Sequence, residues 1–241
     1  MTAEFASTLP YILLASGAGI LGGVISLIWS PNTKMRSAVQ HFAAGAVLAA
    51  VASNVIPEVE RMGTLPGIVG GFAAGVLVMI GLKWVVVRSE HQGTQTNPFP
   101  VGLAAAAAVD TFIDGILISA GFSVNAELGV LLAIALALEL FFLTLSVGVE
   151  LRESDFKSWQ SLAVTGGIAL LLLIGAFGAA FLLADASEAS LAIVLSFGAA
   201  ALIYLIAEEL LVENIEAEQS MIPTLTLFSG FLALLILKLL E

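Results

Sequence analysis

The stretch "AAAAAVDTFIDGILISAGFS", residues 104–123, sets two aspartates, Asp110 and Asp114, one helical turn apart in an otherwise apolar run. Twenty helical residues rise about 30 Å, the thickness of the hydrocarbon core of a bilayer. An ionisable side chain near the centre of such a span costs about 2.5 to 3.5 kcal/mol on insertion scales, so each one is read first as a functional group. The two aspartates share a face, because positions i and i+4 are neighbours on a helix.

Composition extends the membrane reading to the whole chain. Of 241 residues, 59% are hydrophobic and 11% charged, and the mean hydropathy is +1.07. Soluble domains are about 45 to 50% apolar and about 25% charged. Apolar runs separated by polar or Pro/Gly breaks place about eight spans, at 9–29, 38–56, 66–87, 99–122, 126–150, 160–183, 189–212 and 222–240. The expected fold class is an all-α integral membrane protein, one transmembrane domain over residues 1–241. All seven prolines fall at or near the expected breaks, where a missing N–H costs least. The run from Leu9 to Trp29 has no basic stretch before it and is too long for a signal sequence, so it reads as a retained first span.

The net charge of −11 argues against nucleic acid, which requires a basic surface. Without cysteine there is neither a disulfide nor a thiolate metal ligand. Lys34, Arg36, Arg88, Arg152 and Lys157 follow spans one, three and five, and Lys83 lies close to the end of span three; the alternate side holds only Arg61 and Lys238. By the positive-inside rule both termini are expected outside. The loop at 213–221 then falls inside, although it carries Glu213, Glu216 and Glu218 and no basic residue. Gly19 and Gly23, and the ladder Gly67, Gly71 and Gly75, read as packing faces between helices.

A third carboxylate, Glu139, lies near the middle of span five, which runs antiparallel to span four after the short "SVNAE" turn. Asp110, Asp114 and Glu139 are therefore expected at matched depth. Like charges in low dielectric coexist when cations or protons compensate them. Two readings follow: an ion site, or protonated carboxyls bonded to Thr111, Ser119 or a neighbouring helix. Ser146 and Glu150 continue the Glu139 face toward the expected cytoplasmic end, where Glu150 also reads as an interfacial charge beside Arg152 and Glu153. In span seven, Glu208 and Glu209 sit below the midpoint, with Glu213 and Glu216 on the Glu209 face; they read equally as a cation exit or a solvated helix end. Asn54 and Glu58 mark an expected outer entrance. His41 reads as a structural partner.

With these residues in place, the pattern resembles the ZIP (Zrt/Irt-like) family of divalent metal transporters over nearly the whole chain. Eight spans with both ends outside are that family's topology. Its fourth span carries H-N/S-x-x-E/D-G, and this chain has "DTFIDGILISAGFS" there; "HFAAGAVLAAVASNVIPE" and "FGAAALIYLIAEELLVE" resemble the second and seventh spans. Asp110 stands where the family has histidine, Thr111 where it has asparagine or serine, and Asp114 where it has the acidic ligand. In the fifth span Glu139 alone matches, and Phe142 departs from the pattern. The sixth-span acidic ligand has no counterpart, and the histidine-rich loop is reduced to His91.

The resemblance implies a metal transporter of bacterial or archaeal cell-membrane type, moving a divalent cation toward the cytoplasm. It implies Asp110, Asp114, Glu139 and Thr111 as ligands, with Glu209 and Glu208 near the exit. It also implies homodimerisation, and an elevator-like motion of spans one, four, five and six against two, three, seven and eight. An all-oxygen set suits Mn²⁺, Fe²⁺, Mg²⁺ or Ca²⁺, while Zn²⁺ also accepts carboxylates and Cd²⁺ is a usable surrogate. No other cofactor is expected, and lipid is the surrounding partner. The alternative is a ZIP-derived protein acting on protons or another substrate, or as a membrane regulator. An enzyme is not expected: Asp110 and Asp114 share one helix instead of facing each other from two, and H-E-x-x-H is absent.

Overall fold

The computed structural model describes residues 2–92, 101–216 and 221–240, with the side chains of 8–88, 104–208 and 221–240. Among these residues the chain is helical, without strands. The helices are α1 (Thr2–Ile28), α2 (Thr33–Ala50), α3 (Ile56–Met62), α4 (Leu65–Gln92), α5 (Val101–Val124), α6 (Ala126–Glu153), α7 (Ser158–Leu182), α8 (Glu188–Glu216) and α9 (Ile222–Leu240). A π-helical turn, Val51–Val55, joins α2 to α3, so that these three pieces form one crossing, Thr33–Met62. Among the described residues eight segments are long and apolar enough to cross a membrane, the character of a helical integral membrane protein.

The segments follow the expected spans, with two differences at prolines. Helix α1 extends on the N-terminal side of Pro10, which therefore lies inside it. Span two does not stop at Pro57: the proline takes the first turn of α3, where its missing N–H is tolerated, and the helix runs on to Met62. Local signals set the other starts. Asn32 accepts the N–H of Met35 at 2.9 Å to cap α2, and Asn125 accepts that of Leu128 at 2.8 Å to cap α6. Asn125 is also the whole connection between α5 and α6.

The helices sort into two bundles by how closely they pack. The first holds α1, α5, α6 and α7. Hydroxyls knit it together by donating to the backbone of a neighbouring helix: Ser16 to Ala169 (2.9 Å), Ser119 to Ala176 (2.7 Å) and Thr144 to Gly19 (2.7 Å). Arg152 donates to the carbonyl of Ser26 at 2.6 Å, supplying one of the carbonyls that the end of α1 leaves unpaired. The second bundle holds α2, α3, α4, α8 and α9. Gly67, Gly71 and Gly75 lie against α8 at Ile193, Ser196 and Phe197, so the ladder expected to be a packing face is one.

Close approach between backbones recurs in a reciprocal form. Gly45 of α2 faces the carbonyl of Leu227 in α9, and Gly230 of α9 faces that of Phe42. In the first bundle Gly115 faces Leu172 and Gly175 faces Phe112. A Cβ at any of the four would overlap backbone, so glycine is required by contact here. In the membrane window of α5, α6 or the α2–α3 crossing 61% of residues are buried, against 17% for α4 and for α9, which places the first three at the centre and the last two at the rim.

Candidate cation site

Helix α5 carries Asp110 and Asp114 into the centre of the molecule. They are 4% and 0% exposed, and Thr111 between them is fully buried. Their direction follows from their neighbours on the helix. Leu117, three residues beyond Asp114, seats on Gly198 of α8, and Gly121, seven beyond, meets α6 at Gly129 and Leu132. The Asp114 face therefore looks into the groove between α6 and α8, which is the seam between the two bundles.

Glu139, half-buried on α6, approaches from across that groove. Asp114 lies within electrostatic reach of both Asp110 and Glu139, as the matched depth of the three requires. Among the described residues no three His, Cys, Asp or Glu side chains gather into a group able to hold a metal ion. Asp114 is thus near enough to Asp110 and to Glu139 to be acted on by each, without the three closing round a common point.

Hydrogen bonding does not account for Asp114. Both of its oxygens are buried with no hydrogen-bond partner among the described residues, and so is the hydroxyl of Thr111. Ser119, the other expected donor, is committed to Ala176. A buried carboxylate without a donor is costly whichever way it is charged. Cations or protons are what such an arrangement of oxygens can receive.

The rest of the expected track is only partly gathered. Ser146 is buried on the same α6 face as Glu139, with its hydroxyl unpartnered, and Glu150 beyond it is half-buried. Glu208 is not turned to the carboxylates: it takes the ammonium of Lys83 at 2.8 Å, bridging α8 to α4, and also bonds to Tyr204. The side chains of Glu209, Glu213 and Glu216, like Glu218 and the side chain of His91, lie outside the described residues. The Nδ1 of His41 lies 2.9 Å from the carbonyl of Ser37 within its own helix, in keeping with a structural histidine.

Beside the α5–α6 joint, Asn54 and Glu58 line a cavity of about 110 Å³ shared with Ser53, Asn125, Glu127 and Lys238. Sequence reasoning missed Lys238 and the π-turn. The signal was Pro57, whose missing N–H removes the α-helical donor for the carbonyl of Ser53. The ammonium of Lys238 donates to that carbonyl instead.

No family model matches this chain, and no curated protein matches it either.

Proposed function

We propose that the chain is a ZIP-like transporter that moves a divalent metal cation of the zinc, manganese or iron class toward the cytoplasm. The carboxylate site between α5 and α6 would carry it, in a bacterial or archaeal cell membrane with both termini outside. The observation that carries this reading is Asp114. Its carboxylate is fully buried, has no hydrogen-bond partner at either oxygen among the described residues, lies in reach of two further carboxylates and faces the seam between bundles. A divalent cation compensates several such anions at once, and Thr111 and water complete an oxygen set that suits hard cations.

A site for cargo must also release it. Conduction requires binding favourable enough for entry and weak enough for exit. The seam adds a route: a shift of one bundle against the other would open the carboxylates to one side and then the other.

Metal loading of the purified protein tests the assignment. Wild type is expected to bind Zn²⁺, Mn²⁺ or Cd²⁺, and Asp110→Asn/Asp114→Asn to lose that binding. Equal loading of both by every metal would show that the site is elsewhere. A wild type that loads none would favour the alternative, carboxylates that carry protons.

A further inference from the structure

Asn125 occupies the one-residue joint between α5 and α6, and its amide has two partners. The Oδ1 accepts the N–H of Leu128, as the cap of α6, and this settles which end of the amide is the NH₂ group. That Nδ2 donates to Oε1 of Glu58 at 3.1 Å. The other oxygen of Glu58 takes Nε of Arg61 at 2.7 Å. Glu58 belongs to α3 in the second bundle and Asn125 to the first. The interhelical hydrogen bonds within the first bundle, and those of Lys83 and Lys238 within the second, each join helices of one bundle; this one joins the two.

We propose that the Asn125–Glu58 hydrogen bond is a latch that holds the bundles together at the face of the α5–α6 joint and closes the seam over the buried carboxylates. Deeper in the seam, Leu117 on Gly198 is an apolar contact and contributes no hydrogen bond between the bundles. The latch is directional, and it is built to break at low cost. It borders the cavity of about 110 Å³, so water can take over the amide and the carboxylate when they part. The Glu58 side chain is 24% exposed, enough for that exchange. Lys238, bonded to the Ser53 carbonyl one turn below Glu58, ties the π-turn to α9 and keeps the acceptor in place within its own bundle. This device goes beyond the cation reading and does not depend on it.

The chain has no cysteine, so spin labels can be placed without background. Glu60→Cys on α3 and Ala126→Cys on α6, both exposed, report the separation of the bundles at this face by pulsed EPR of the full chain in nanodiscs. A single narrow distance is expected without further change. Asn125→Asp keeps a good cap but sets a carboxylate against Glu58, and Asn125→Ser keeps the cap but is too short to reach. Both should lengthen and broaden the distribution. Adding Glu58→Gln to Asn125→Asp swaps donor and acceptor and should bring the narrow distance back. Distributions unchanged in both single variants, or no recovery in the swapped pair, overturn the latch. Since no metal is present, these outcomes leave the cation proposal to be judged by uptake.

Discussion

Asp114 is the residue on which the rest turns, because every feature that normally makes a buried carboxylate tolerable is missing around it: neither exposure, nor donor, nor basic partner is supplied by the described side chains. Asp114→Asn is therefore expected to weaken metal loading about tenfold or more, a factor that corresponds to about 1.4 kcal/mol. Glu208→Gln should change loading by less than about threefold, under about 0.7 kcal/mol, since Glu208 is held by Lys83 and not by the carboxylates. Titration of the purified variants with Mn²⁺ measures both. The aspartates and Glu139 were legible in the sequence because ionisable residues in apolar spans stand out and helical spacing fixes their faces. The partner of Glu208 was not legible, since Lys83 lies 125 positions away in sequence and the choice depends on α4 packing against α8.

At the scale of the element, the glycines separate into those that touch and those that do not. Gly115→Ala should lower stability by about 1 to 3 kcal/mol, the usual cost of overpacking, because a Cβ there meets the backbone of Leu172. Gly70→Ala on α4 has nothing within 4 Å and should be neutral or slightly stabilising. Thermal unfolding in detergent compares the two. Lys238→Met should cost about 0.5 to 1.5 kcal/mol by removing the hydrogen bond to the Ser53 carbonyl. Span positions were readable from hydropathy to within a few residues over most of the chain. The π-turn was not, because a proline in an apolar run is equally compatible with a stop, a kink or a register change; the choice here involves a lysine from the last helix.

At the scale of the whole molecule, α1, α5, α6 and α7 pack apart from the remaining helices, a division of which hydropathy alone carries no sign. It emerges from glycine contacts and hydroxyl-to-carbonyl bonds between helices far apart in sequence, which no local pattern announces. The two-bundle arrangement sets the buried carboxylates beside the boundary between the bundles. The orientation expected from Lys and Arg placement is open to direct test: Thr64→Cys should react with an impermeant maleimide on intact cells, and Asp155→Cys only after permeabilisation; the reverse pattern would invert the topology.

The most direct measurement of the central claim is flux. Proteoliposomes containing the wild-type chain and a trapped metal indicator should take up Mn²⁺ or Zn²⁺ saturably, and Asp114→Asn, reconstituted to the same density, should fall to the level of empty liposomes. Uptake that survives the substitution undiminished, or a wild type that carries none of Mn²⁺, Zn²⁺, Fe²⁺ and Cd²⁺, would contradict the account.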